Sequence, residues 1–204
     1  MTVPPPRQQW DERYGADHYL YGTEPNGFLA DNVDALPDGD VLCLADGEGR
    51  NSVHLASTGR RVSSVDLSEA GVAKTLRLAA ERHATVDAVV GDLATFDLGH
   101  GRWDGIVSIF AHLPPPVRVD LHLRVVQALR PGGVLLLEAY TPDQVGRGTG
   151  GPPVPELTMT AAGLRDELHG LEFLHCVEID REVVEGVGHT GTGSVVQLIA
   201  RKPA

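Results

Sequence analysis

The sequence predicts an α/β fold, with a mostly parallel sheet, crossover helices and an antiparallel end. Three observations predict it. Short apolar runs alternate with segments of helical periodicity over the first two thirds of the chain. Several of those runs end in glycine or aspartate, as strands do where they turn toward a ligand. The last third holds two strand-like runs with no helical pattern between them, which suggests an antiparallel pair.

Taken in order, Leu29, Val33 and Leu36 share one helical face that stops at Pro37-Asp38-Gly39. Val41–Leu44 is a buried strand turning through Gly47 and Gly49 into a helix. Arg61–Val65 is the second strand, ended by Asp66. Ser68 is placed to cap a helix with the apolar face Val72, Leu76, Ala79 and Ala80. Val86–Val90 and Gly105–Phe110 follow as strands, and Val117, Leu121, Val125 and Ala128 repeat at helical spacing. That helix is expected to end in Arg130-Pro131-Gly132-Gly133, before a fifth strand at Val134–Ala139. The stretch 141–155, rich in Gly and Pro, reads as a long loop that is functional or mobile. A short helix with Leu164 and Leu168 precedes the final strands, near 171–179 and 194–201, joined by glycine-rich sequence.

Composition narrows the function. The chain has 204 residues, enough for one domain with its own core, and a net charge of −11. That balance argues against gripping phosphate backbones, so no nucleic-acid partner is expected. Cys43 and Cys176 form no paired motif, which predicts a reducing, cytoplasmic setting. No apolar run approaches the ~18 residues of a membrane span, so no membrane partner is expected. The start, Met1 to Pro6, has no signal-peptide pattern and reads with the rest of 1–9 as a flexible tail. No internal repeat or second core is visible across 1–204.

A cofactor site is suggested at three successive strand ends. The turn Ala45-Asp46-Gly47-Glu48-Gly49-Arg50-Asn51 offers bare backbone and a helix N-terminus to an anionic group. Asp66, 17 residues after Gly49, is placed to accept ribose hydroxyls. Asp92 can accept from an adenine amino group, with Leu67 and Leu93 on either side of the ring. Each feature alone also reads as packing, a helix cap or a solvated loop residue; their coincidence favours a nucleoside-containing ligand.

These residues, with Trp10-Asp11-Glu12-Arg13-Tyr14, Tyr21-Gly22-Thr23-Glu24-Pro25-Asn26, Trp103-Asp104-Gly105 and Leu129-Arg130-Pro131-Gly132-Gly133, make the sequence resemble the class I S-adenosylmethionine-dependent methyltransferases. Among them it is similar to the small bacterial tellurite-resistance and thiopurine-type subgroup. The resemblance implies a Rossmann-like, seven-stranded, mostly parallel sheet with an antiparallel last strand and helices on both faces. It implies S-adenosyl-L-methionine as cofactor and an N-terminal segment, about 10–27, that folds over it with Trp10 near its methionine end. Ser108, at the end of the fourth strand, joins the implied cofactor set. The chain departs from the family's first motif, with Cys43 at the usual acid and Ala45 at the first glycine. Asp46 is expected to stand in for the acid against the cofactor's ammonium, and Ala45 to fit if its φ stays negative.

The loop Ser108-Ile109-Phe110-Ala111-His112-Leu113-Pro114 is expected to face the transferred methyl group. His112 is the catalytic candidate, because imidazole titrates near neutral pH; it also reads as a structural histidine. Tyr21, Phe110, Tyr140 and His189 are the candidate substrate-pocket residues, and no metal site is expected from His112, His122 and His189. With no lysine near the loop, the expected acceptor is a small molecule, a thiol or soft oxyanion, served by a monomer or homodimer. Two alternatives remain at this level: a nicotinamide-dependent oxidoreductase, which Gly47, Gly49 and Asp66 also suit, and a non-catalytic S-adenosylmethionine-binding domain.

Overall fold

The computed structural model describes residues 6–204. Seven strands form one sheet in the order β3-β2-β1-β4-β5-β7-β6. These are β1 (Asp40–Leu44), β2 (Arg61–Asp66), β3 (Val86–Val90), β4 (Trp103–Ile109), β5 (Leu129–Tyr140), β6 (Glu172–Glu185) and β7 (His189–Arg201). The first five run parallel, and β7 lies antiparallel between β5 and β6.

Side chains alternate across each strand, so successive residues feed two cores. Val41, Cys43, Val107, Val134 and Leu136 pack with α2 (Gly27–Asp31), α3 (Arg50–Ser57) and α4 (Glu69–Glu81). Leu42, Leu44, Ile106, Leu135 and Leu137 pack with α5 (Pro115–Ala128) and α6 (Ala161–Glu167). The parallel strands therefore deliver their C-terminal ends to one edge, where a ligand crevice is expected in such sheets.

Four local expectations are corrected. The helix drawn through Leu29, Val33 and Leu36 is a single turn, α2, followed by a 3-10 turn at Val33–Ala35. The buried face of α4 is Val72, Thr75, Leu78 and Ala79, while Leu76 is 49% exposed. β5 begins at Leu129 and runs through Pro131-Gly132-Gly133, with a register shift against β4; here Gly132 N–H donates to the Lys202 carbonyl and the Gly133 carbonyl accepts Lys202 N–H. The last two strands are longer than the sequence suggests and meet at a turn of residues 186–188. Their glycines are spaces for neighbours: a Cβ on Gly193 would lie 3.0 Å from the Tyr140 ring, and one on Gly188 would lie 2.5 Å from Tyr21.

The N-terminal part of the chain is tied to the sheet rather than extended away from it. Residues 6–9, expected in a tail, belong to α1 (Pro6–Tyr14); residues 1–5 lie outside the described residues. Asp11 accepts from the Ser68 hydroxyl (2.6 Å) and from Ala70 N–H (3.2 Å), so α1 caps the start of α4. Leu20 N–H donates to Glu48 (2.7 Å), and Leu20 carbonyl accepts from Val187 and Gly188 (3.0 Å each). No helix among the described residues is long and apolar enough to cross a membrane.

Beneath that segment lies a buried charge cluster. Glu138, fully buried on β5, accepts from Asn26 (2.6 Å), Arg181 (2.8 and 2.5 Å) and Gln197 (2.7 Å). Glu185 on β6 accepts from Asn26 (2.9 Å), Arg181 (3.2 Å) and Arg50 (2.5 Å). Removing one partner leaves the others charged in a low dielectric. Glu138→Ala should therefore lower unfolding free energy by about 3–5 kcal/mol, read as a reduced urea midpoint at unchanged slope.

Candidate functional site

The turn after β1 takes an unusual backbone path. Ala45 has φ 49°, Gly47 has φ 64° and Gly49 has φ 89°. The expectation that Ala45 keeps a negative φ is thus overturned: the turn needs the left-handed region there, and alanine holds it at a steric cost. Gly47 is required because a Cβ would lie 2.8 Å from the Tyr14 hydroxyl. Gly49 is required by packing on α4, since its Cβ would lie 2.6 Å from Thr75. Phe110, just beyond β4, is also left-handed at φ 54°. A bulky residue held there is costly, and such strain gathers at ligand sites.

Around these turns the chain encloses a cavity of about 460 Å³. Its wall includes Trp10, Tyr21, Ala45, Asp46, Gly47, Arg50, Asn51, Asp66, Leu67, Asp92, Leu93, Phe110, His112 and His189, all singled out in the sequence. Gly49, Ser108 and Tyr140 do not border it: Gly49 packs on α4, Ser108 is buried within β4, and Tyr140 is fully buried behind Phe110 and His189. The wall also contains Arg13, Tyr14 and Glu48, from the cover and the turn that the sequence had marked, and Gln9, Gly150, Gly151, Pro152, Pro153 and Leu157, which sequence reasoning did not assign to the site. The glycine-proline run at 150–153 was the available signal for part of this set, because unstructured loops of that length in compact folds commonly cover sites.

The floor of the cavity is acidic. Asp66 accepts Gly47 N–H and Ser68 N–H (2.8 Å each), which fixes both its oxygens beside the turn. Burial raises its carboxyl, against the pull of those backbone hydrogen bonds. Asp46 accepts from the Ser52 hydroxyl in a short contact. Burial, helped by the nearby Asp66 charge, pushes Asp46 up to about 6 despite the Ser52 bond. Asp92 holds its own turn by accepting Ala94 N–H (2.9 Å). Glu48 on the wall is neutralised by Lys74 at 2.7 Å. Two desolvated carboxylates without a basic partner at hydrogen-bond distance suit a ligand bearing positive charge and hydroxyl donors.

Aromatic rings make the opposite end. Phe110 stacks on Tyr140 at 4.5 Å between centroids, and His189 lies edge-on to both at 4.8 and 5.3 Å. Tyr21 covers His189 at 4.4 Å, and Trp10 stacks on Tyr14 at 5.3 Å. His112 is held by two backbone groups: Nδ1 lies 2.8 Å from the Leu157 carbonyl, and Nε2 accepts Tyr140 N–H at 3.4 Å. That pattern sets the Nδ1–H tautomer. Burial pushes His112 down to about 4, so it is neutral at physiological pH.

The comparisons with known proteins bear on this geometry. A family model described as a methyltransferase domain matches residues 41–133, which contain the turn, Asp46 and Asp66, and strands β1 to β4 but for Asp40. Over those residues the chain is similar to a methyltransferase domain. No curated protein matches the sequence. Solved structures share the fold. One, concerned with conversion of a disulfide bond into a thioacetal group during echinomycin biosynthesis, has a TM-score of 0.79 at 19% identity, covering 97% of this chain and 91% of that one. TehB from Haemophilus influenzae has a TM-score of 0.71 at 22% identity, covering 96% of this chain and 66% of that one. The N-methyltransferase NodS from Bradyrhizobium japonicum WM9, with S-adenosyl-L-homocysteine, has a TM-score of 0.71 at 14% identity, covering 97% and 98%.

The crevice has a donor set that suits a cationic, hydroxyl-bearing ligand, with bare backbone at the glycine turn and the acids Asp46 and Asp66 on its floor. The dinucleotide alternative leaves the family match unexplained. Relief of backbone strain provides a direct check on the turn. Ala45→Gly should stabilise the protein by about 1 kcal/mol, less the entropy that glycine adds to the unfolded chain, with S-adenosylhomocysteine affinity kept. A drop in melting temperature, measured by scanning calorimetry, would contradict the left-handed assignment.

Proposed function

We propose that the domain methylates a small molecule whose nucleophile is already soft and easily anionic, a thiol or a comparable oxyanion. The observation that carries this reading is His112. Both of its ring nitrogens are engaged by backbone, and it is neutral with a depressed pKa. It therefore serves as a positioning residue in the wall instead of as a base. His189 is likewise driven toward its neutral form by burial, and Ile109, Phe110 and Leu113 make an apolar part of the wall. A site with no strong base favours an acceptor that needs little deprotonation. The sulfur chemistry named for one structural neighbour, a disulfide converted to a thioacetal, agrees with that class.

In this reading Asp66 takes the ribose hydroxyls, Asp92 the adenine amino group, and Leu67 and Leu93 the faces of the adenine ring. Gly47, Asn51 and the start of α3 border the methionine end, with Asp46 facing its ammonium. When bound, S-adenosylmethionine supplies a methyl group on positively charged sulfur for in-line transfer. The chain's residues hold donor and acceptor together and exclude water, which accounts for most of what this chemistry needs. Residues 10–27 act as the cover, stitched by Asp11 to α4 and by Leu20 to Glu48 and the β6–β7 turn.

Two measurements test these roles. In the free protein, the raised Asp46 pKa gives stability that is present below its ordinary value of 3.8 and is lost as pH rises through about 6. Asp46→Asn should remove that loss and melt higher than wild type at pH 7.5, with little difference at pH 4. A cationic ligand favours the ionised acid, so calorimetry should find wild-type S-adenosylhomocysteine affinity rising from pH 5 to 7, and the Asn variant weaker and flat.

Small thiols should be turned over ahead of neutral alcohols, with kcat/KM rising as the thiol ionises. The His112 value of about 4 predicts no loss of rate between pH 5.5 and 7 beyond thiol ionisation. A limb near ~6.5 that disappears in His112→Gln would restore the base assignment. Efficient methylation of an alcohol with thiols inert would reject the proposed acceptor class.

A further inference from the structure

Between β5 and α6 the chain runs through 145–154 without a helix or strand, and Gly150, Gly151, Pro152 and Pro153 of that run border the cavity. Gly146, Gly148, Gly150 and Gly151 all take positive φ, so many other conformations are open to the backbone of this strap. A buried side chain ties it to the sheet. Gln144, 1% exposed in the 3-10 turn Pro142–Gln144, donates from Nε2 to the Thr149 hydroxyl and to the Gly150 carbonyl (2.9 Å each). Its Oε1 accepts Ser194 N–H from β7 at 2.9 Å. Both donors of the carboxamide thus serve the strap, and its acceptor serves the sheet. The Thr149 hydroxyl carries the link on to the Thr192 carbonyl of β7 at 3.1 Å. The strap comes down on the aromatic end of the cavity. A Cβ on Gly150 would lie 2.7 Å from the His189 ring, and one on Gly151 would lie 3.0 Å from the Tyr140 ring.

We propose that Gln144 is a positioning residue: it holds Gly150–Pro153 as the acceptor-side wall of the cavity and so restricts the acceptor to a short, narrow thiol. This rests on the soft-nucleophile reading above and narrows it. The contacts with His189 and Tyr140 place the strap at the aromatic end, opposite the acids that suit the cofactor. There the wall is backbone. Glycine at 150 and 151 already stands as close to two rings as a residue can, so the strap has no room to move inward. The Gln144 bonds oppose movement outward, because breaking them would leave buried donors and acceptors unpaired. Pro152 and Pro153 fix φ over the next two residues and stiffen the wall further. A bulky acceptor must therefore break the Gln144 contacts to fit, and a short one need not.

Gln144→Met keeps the side-chain volume and removes the bonds to Thr149, Gly150 and Ser194. Thr149→Val leaves Gln144 on Ser194 and Gly150 and removes only the strap hydroxyl, so it carries the same comparison if the first variant fails to fold. Strap position is read as the rate of tryptic cleavage after Arg147, which is ion-paired to Asp180 of β6 at 3.0 Å. Each protein is titrated with S-adenosylhomocysteine and assayed with ethanethiol and 2-phenylethanethiol. Wild type should prefer ethanethiol by kcat/KM; preference for the phenyl compound would overturn the narrow-acceptor claim. In the variants cleavage after Arg147 should be faster and KM for ethanethiol higher at unchanged kcat. The preference should shrink roughly tenfold, the scale of one or two lost hydrogen bonds. S-adenosylhomocysteine affinity should stay at the wild-type value. A glutamine that only supports the fold would lower the melting temperature and leave the preference where it was, which overturns the proposal. Weaker S-adenosylhomocysteine binding at unchanged preference would put the strap over the cofactor and overturn it as well. Cleavage at the wild-type rate would mean that Gln144 does not hold the strap. If neither thiol is methylated, the soft-nucleophile reading fails and the acceptor claim falls with it. Faster cleavage at unchanged S-adenosylhomocysteine affinity would then still support Gln144 as the tie of the strap, and unchanged cleavage would reject it.

Discussion

The structure depends on a buried group of charges that joins four distant parts of the chain. Glu138 and Glu185 carry negative charge into the interior, and Arg50 and Arg181 answer it, with Asn26 bridging the two acids. Burial alone would raise Glu185, but its contacts with His189, Arg50 and Arg181 outweigh that and hold it down at about 2. Charges this deeply placed are stable only when every partner is present. The cluster therefore fixes where the N-terminal segment, the start of α3, strand β5 and the β6–β7 hairpin stand relative to one another. Three of them, the N-terminal segment, the start of α3 and the β6–β7 hairpin, also line the cavity.

That arrangement explains why the hairpin reaches so far beyond the sheet core. Its outer half has little apolar packing of its own: Val184 and Val187 are 72% and 74% exposed. It is held by Arg181 and Glu185 reaching inward and by backbone bonds to Leu20. Glu185 thus links the hairpin to the cavity wall, since it touches both the structural cluster and Arg50.

Backbone strain is concentrated where the ligand side chains converge. Ala45 and Phe110 are two of the three non-glycine residues with positive φ among the described residues, and both border the cavity. Phe110 is pinned by its N–H to the Glu138 carbonyl (2.8 Å), so the residue that anchors the charge cluster also holds the strained turn. A rigid wall of this kind suits a reaction in which alignment, and not proton transfer, sets the rate.

The sequence by itself determined the sheet, its antiparallel end and the strand-end positions of Asp66 and Asp92, because apolar periodicity and punctuation by glycine and aspartate are local signals. It also located most of the cavity wall, since ligand-facing residues cluster at strand ends in a parallel sheet. It did not reveal that Ala45 is left-handed, that Leu78 replaces Leu76 in the α4 face, or that the glycine-rich stretch before β7 is hairpin. Each depends on what packs against it: Val65 carbonyl at the first turn, β3 and α3 against α4, and Tyr21 and Tyr140 against the glycines. The partners of His112 were likewise visible only in the tertiary structure. An imidazole in that loop suggests a base, but Leu157 and Tyr140, 45 and 28 residues away, occupy its nitrogens. The Glu138–Glu185 cluster left only a faint trace, one acid in an apolar strand, because partners 112 and 159 residues from Asn26 have no common local pattern and meet only when the sheet closes.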